Sequence, residues 1–469
     1  MAGIGFRLHK LLKGESYSDL VKAYLFSAII TTGPMLVTIA FLAFVGQFLK
    51  KQLSPEQGEL LLGLILYAYA FSMIVMGIFL YIVSRYLADL EYLKKIELFT
   101  PTYLSVLEIT LSLQAIIACI YLYPLPLETT VKWSLFCLYL SISGIWLAMT
   151  FLSAAKSYLW IVAAFVIGSF AGGLSSWFCG KTIGFAGYLS GFMIGQATIF
   201  FLLSARIFRE FGYQKSHDFS FLSHMKKYPY LTWVGLLYYI AVWIDKFIFW
   251  FSPHGDKLGE HLYVFLDYDL PMFLAFMTIV PSMAFFLVQM ETSFARHFRA
   301  YYEAVRRREP LTQLQEKLEG VRLILTRQFQ KYVLFQGLLS GVIILFLYQI
   351  AEAFQLNPAQ MGVLRIAILG AFLQMGFLMV LTILFYFDAQ KECCLLTLFF
   401  LVCNALLTAL TLKIGLPAYG FGYAGSCFIS LIAGFFVLDH RVKNLHYWTF
   451  MKQPILLPHF QLETESFKK

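Results

Sequence analysis

Residues Trp233–Ser252 read WVGLLYYIAVWIDKFIFWFS. An α-helix needs about 20 mostly apolar residues to cross a hydrocarbon core roughly 30 Å thick, and this stretch supplies them. Asp245 and Lys246 nevertheless stand near its middle. A charged side chain at that depth costs roughly 2.5–3.5 kcal/mol on insertion scales. Both are therefore expected to turn inward, toward a partner or a wet cavity. The stretch reads as the first helix of a second half, walling a polar route through a membrane.

The rest of the chain is of the same kind. Of its 469 residues, 59% are hydrophobic and 13% charged, where soluble domains carry about one quarter charged residues. Twelve spans are expected, over about 22–48, 60–84, 103–123, 132–153, 158–178, 185–205, 230–251, 268–289, 332–351, 361–386, 393–412 and 418–437. The first apolar run, Ala23–Phe48, is too long for a signal-peptide core and has no small-residue cleavage site, so it reads as a span. Gly33-Pro34 near its middle predicts a packing kink or hinge, because proline frees a carbonyl inside a helix. The seven cysteines lack CxxC or metal spacing, which argues against a disulfide framework or a metal site. No nucleotide-binding loop, HExxH or catalytic triad pattern occurs, so no cofactor and no enzymatic activity are expected.

Basic residues orient these spans. With both termini on one side, the tails and even-numbered connections hold 28 Lys and Arg and the odd-numbered connections hold 6; Lys246 and Arg365 lie within spans. Cytoplasmic connections carry such an excess, so both termini are expected in the cytoplasm. The same bias explains the net charge of +9 without nucleic acid. The organisation that follows is an amphipathic cytoplasmic segment over 1–21, a six-helix N-lobe over 22–205, a cytoplasmic linker over 206–229, a six-helix C-lobe over 230–437 and a cytoplasmic tail over 438–469.

An internal repeat supports two halves. Lys181-Thr-Ile-Gly184-Phe-Ala-Gly187-Tyr188 precedes the sixth span, and Lys413-Ile-Gly415 with Gly420-Phe-Gly422-Tyr423 precedes the twelfth. Duplicated halves around a central site are a common transporter plan. Within the second half, the polar insert 290–331 predicts a cytoplasmic helical hairpin, since Leu311, Leu314, Leu318, Val321 and Leu325 recur at spacings of three and four. Its run Arg306-Arg307-Arg308 suits lipid headgroups or a docking partner.

Candidate chemistry lies in isolated polar residues inside or at the ends of spans: Glu108, Asp245, Lys246, Gln289, Glu291, Glu352, Arg365 and Gln374, with Asp267 and Asp269 at the outer mouth and Asp388 at the inner face. They suit a cation or proton site or hydrogen bonding to a polar polymer; fixed ion pairs between helices are the plainer alternative. Neighbouring helix positions point about 100° apart, so Asp245 is expected to meet Arg365, and Lys246 another acid, rather than each other. Trp243, Phe247 and Trp250 share one face; they suit either a sugar path or an interfacial belt facing lipid.

Several motifs carry a resemblance. AGIGFRLHKLL after Met1, the Gly33-Pro34 pair, VWIDKFIFWFSPHG (Val242–Gly255) and YDLPMFLAFMTIVPSMAFFLVQMETSF (Tyr268–Phe294) occur in order. The chain thereby resembles the PelG family, inner-membrane components of the Pel exopolysaccharide system placed in the MOP flippase superfamily with MATE antiporters. Gly3, Gly5, Gly33, Pro34, Trp243, Asp245, Lys246 and Glu291 match its motif positions. The resemblance implies an all-α, V-shaped, twelve-helix transporter in the bacterial inner membrane. Such a transporter would export an N-acetylhexosamine-rich polymer with a cytosolic PelF-like glycosyltransferase and PelD-like and PelE-like membrane partners. An ion-coupled small-molecule exporter using Glu108, a flippase for lipid-linked oligosaccharides, and a membrane scaffold for the synthase are the rivals.

Overall fold

The structure is a computed structural model; it describes Gly33, Val37 and Thr38, then residues 52–155, 157–214, 216–258 and 262–451. The expected segment 1–21 with Gly3 and Gly5, most of the first span, Pro34, the side chain of Glu291, and residues 452–469 of the expected tail 438–469 lie outside the described residues. Gly33 is helical and buried.

The described chain is almost wholly helical. Helices α1 (Pro55–Tyr92), α2 (Phe99–Leu122), α3 (Thr129–Ala154), α4 (Tyr158–Ile183) and α5 (Phe185–Phe211) form the first group. A short α6 (Phe221–Lys227) leads into α7 (Pro229–Trp250). Then follow α8 (Leu266–Met277), α9 (Val280–Gln289), a π turn over Met290–Phe294, α10 (Ala295–Arg306), α11 (Leu311–Leu345) and α12 (Leu347–Ala353). Last come α13 (Pro358–Tyr386), α14 (Gln390–Ile414), α15 (Phe421–Lys443) and α16 (Leu445–Met451). Among the described residues, ten helical segments are long and apolar enough to cross a membrane, or eleven if α11 and α12, bent by 62°, count as one. Each lies on an expected span.

Local chemistry sets the boundaries. Ser54 and Asn357 cap α1 and α13 in reciprocal boxes with Gln57 and Gln360, each followed by proline in the first turn; both devices satisfy or dispense with orphan helix-start N–H groups. The repeat motifs become two equivalent helix turns. Gly184 ends α4 at φ +68° and Gly415 ends α14 at φ +101°, conformations that cost a glycine little. Each next helix then packs back on the one before.

One departure from an all-helical chain is a two-stranded antiparallel hairpin after α7, β1 (Asp256–Leu258) with β2 (Leu262–Val264), in register Lys257 to Tyr263. Leu258, Leu262 and Val264 are buried, and Leu258 and Val264 press on α1 at Gly63. Tyr67 of α1 clamps the hairpin: its hydroxyl donates to the Tyr263 carbonyl at 2.7 Å and accepts from the Tyr263 N–H at 3.2 Å.

The insert is a helical hairpin, as its periodicity predicts. Leu314, Leu318, Val321 and Leu325 are buried and Leu311 is exposed. The arms are continuous with their spans: α8 through α10 run into the first arm, and α11 carries the second arm straight into the next apolar span.

The first group of helices packs on itself, α7 with α13–α15 forms a second, and the two meet where α1 crosses α7. At the crossing two glycines touch: a Cβ on Gly235 would lie 2.0 Å from the Gly77 carbonyl. One apolar core runs across this seam and another joins the first group to Phe221 of α6.

Candidate functional site

Asp245 and Lys246 sit on α7 beside that seam, both buried, Asp245 completely. The expectation that adjacency would keep them apart is corrected. The Lys246 ammonium lies 3.2 Å from both Asp245 carboxylate oxygens and donates to the Val242 carbonyl at 3.1 Å. The physical reason is reach: the 100° between the two side-chain directions is bridged by the flexible four-carbon lysine stem. Desolvation at this depth makes a near partner worth more than a distant one.

Helix α8 completes the cluster. The Tyr268 hydroxyl donates to Asp245 at 2.8 Å. Asp269, buried, accepts from the Trp250 indole N–H at 2.6 Å and the Phe265 N–H at 3.3 Å, while its Oδ1 is buried without a hydrogen-bond partner. Lys246 also faces the Phe276 and Trp243 rings at 5.4 and 5.7 Å. The cluster therefore holds two carboxylates and one ammonium. With all three ionised the cluster would carry one uncompensated negative charge, and a buried charge of that kind costs several kcal/mol.

The aromatic face of α7 turns to the seam rather than to lipid. Trp250 stacks on Tyr67 at 4.8 Å and Phe247 on Phe71 at 5.5 Å, with Trp243 stacked on Phe247 at 6.3 Å. Toward the other end of the seam, Tyr81 of α1 stacks on Phe385 of α13 at 5.3 Å. In this conformation the seam is shut by rings, with the ionic cluster behind them.

The other expected site residues fall elsewhere. Gln374 is buried and accepts from the Tyr423 hydroxyl, a bond inside the second helix group. Arg365 is exposed on α13 and does not join the Asp245 cluster. Glu108 is exposed and lies 3.6 Å from His217 of the linker. Arg306, Arg307 and Arg308 are exposed at the hairpin tip, with Arg307 paired to Glu303 at 2.5 Å. Tyr268 and Trp250 had no polar signal in the sequence to link them to the pair. Asp269, read from its position as part of an outer mouth, is buried instead.

Outside the spans, Asp218 ties the linker to the first group. Burial would raise its carboxyl, but hydrogen bonds from Ser220, Tyr86 at 2.6 Å and Thr102 at 3.0 Å outweigh that and hold its pKa below the ordinary value.

The fold is similar to that of solved MATE and MOP superfamily transporters. A MATE transporter in a bent conformation superposes with a TM-score of 0.64 at 15% identity, covering 93% of this chain and 98% of that one. An outward-facing multidrug resistance MATE family transporter gives 0.59 at 14% identity over 90% and 96%. A MOP superfamily transporter from Pyrococcus furiosus, described by the reverse polarity of its binding pocket, gives 0.59 at 13% over 91% and 96%. A search of curated protein sequences returns no match. The profile of the PelG family, "Putative exopolysaccharide Exporter (EPS-E)", matches residues 1–450, and the chain belongs to that family.

Proposed function

We propose that the protein exports a Pel-type, N-acetylhexosamine-rich exopolysaccharide across the bacterial cytoplasmic membrane. In this reading twelve spans form two six-helix lobes with both termini cytoplasmic, and a cytosolic PelF-like glycosyltransferase feeds the polymer with PelD-like and PelE-like partners. The exposed arginines at the hairpin tip offer that complex a basic surface. The observation that carries the reading is the seam between α1 and α7 in a PelG-family chain. Polymer export needs two helix groups that part, and here they meet through stacked rings and a glycine crossing. Tyr67, Phe71, Trp243, Phe247 and Trp250 would present ring faces to sugar when the seam opens. Asp245 and Lys246 would then offer polar contacts. Arg365 and Gln374 would serve the same route in other conformations, and Gly33 with Pro34 would act as a hinge.

The test is polymer secretion from cells carrying Phe71→Ala or Phe247→Ala at wild-type membrane abundance. Loss of secretion is expected; undiminished secretion from both variants would remove the seam from the path.

The excess carboxylate favours a second reading, export coupled to a proton or cation bound at Asp269 and Asp245. Glu108, exposed beside His217, suits that role less well. Secretion that falls when the proton gradient is collapsed, in wild type but not in Asp269→Asn, supports coupling at this site.

A further inference from the structure

Helices α11 and α15 touch where the Phe329 and Phe435 rings meet at 4.9 Å and stand apart beside that contact. Between them runs a groove of about 880 Å³, walled by apolar residues such as Phe329, Val333, Leu334, Leu338 and Phe435. Leu334 and Leu338 are about two-thirds exposed, and a Cβ on Gly337 would meet open space. At the groove's polar end stand Arg322, Lys443 and Asp439. Lys443 pairs with Asp439 at 2.6 Å, leaving two cations against one carboxylate. The Arg322 guanidinium donates to the Lys443 carbonyl at 3.2 Å, while its Nε is buried without a partner.

We infer that this groove binds one anionic phospholipid, its phosphate at Arg322 and Lys443 and an acyl chain along Phe329, Val333, Leu334 and Leu338. Length supports the assignment. From Arg322 to Leu338 a helix rises roughly 24 Å, against about 20–22 Å from the bilayer midplane to the outer edge of one leaflet's headgroups. Charge supports it too: a basic end on an apolar slot between membrane helices suits anionic headgroups. A zwitterionic lipid would fill the slot equally but would leave the excess positive charge unmatched. None of the residues lining the groove belongs to the α1–α7 seam, so its occupant is a resident lipid that shores up helix α11.

The experiment is native mass spectrometry of the detergent-purified full chain, titrated with phosphatidylglycerol or phosphatidylcholine. Wild type is expected to retain one phosphatidylglycerol in preference to phosphatidylcholine. Arg322→Gln and Lys443→Gln should each cut that preference roughly fivefold, the effect of one cation near an anionic lipid. Gly337→Phe should fill the slot and reduce retention of both lipids. Its exposed setting keeps it folded even if Arg322→Gln is not. Equal retention of the two lipids by wild type, no effect of either cation variant, or unchanged binding by Gly337→Phe would each overturn the assignment.

Discussion

Removing Lys246 should do more damage than removing Lys246 and Asp245 together. At 3.2 Å and an effective dielectric near 20, the pair's attraction is about 5 kcal/mol. The cost of breaking a buried pair by deleting one partner, about 3–5 kcal/mol, is of the same size. Lys246→Met leaves Asp245 held by Tyr268 alone, with Asp269 close by and no ammonium between them. Asp245→Leu combined with Lys246→Met removes both charges in similar volume, and such replacements are often neutral or stabilising. The assay is unfolding of the purified protein in mixed micelles, with membrane abundance measured in parallel. Lys246→Met should lose about 3–5 kcal/mol, and the double variant should recover most of it. A double variant as unstable as the sum of the two single changes would refute the argument, because it would mean the charges act independently. Polymer secretion from the double variant then separates the roles: a stable but silent protein gives the pair a part in transport, and a stable, active one makes it a strut.

Other outcomes follow from the same geometry. Gly235→Val should drive a side chain into the Gly77 carbonyl, prise α1 from α7 at about 1–3 kcal/mol of overpacking, and abolish secretion; a disulfide-trapping assay across Tyr67 and Trp250 positions would report the altered seam. Tyr67→Phe removes the clamp on the β hairpin and should cost about 1 kcal/mol, measured by the same unfolding assay. Asp218, with its pKa held down in the folded state, contributes stability that is present above the unfolded carboxylate pKa and lost as pH falls through the folded one; thermal unfolding of Asp218→Asn should lack that acid-side loss. If the proposed PelF-like partner docks at the hairpin tip, charge reversal of Arg306, Arg307 and Arg308 should weaken its co-purification while leaving abundance unchanged, since these side chains are exposed and largely unburdened by packing.

The helical hairpin of the insert and the paired glycine turns were both legible in the order of residues alone. Leu314, Leu318, Val321 and Leu325 line one face because a helix brings every third or fourth residue together. Gly184 and Gly415 mark the two equivalent turns because those backbone conformations favour glycine. The rings of α7 were legible as a stripe but not as a seam: whether Trp243, Phe247 and Trp250 meet lipid or α1 depends on how the helix is rotated, which its own residues do not state.

By itself the sequence marked the ten or eleven described helices that are long and apolar enough to cross a membrane, because in lipid each helix must satisfy its own backbone polar groups and so declares itself locally. Only the tertiary structure decided who neutralises whom. Asp245 found its own neighbour Lys246, joined by Tyr268 from 23 residues away, while Arg365 stayed on the surface. Pairing of buried charges depends on side-chain reach, helix rotation and the loss of water around the group. Those quantities exist only once distant segments have packed.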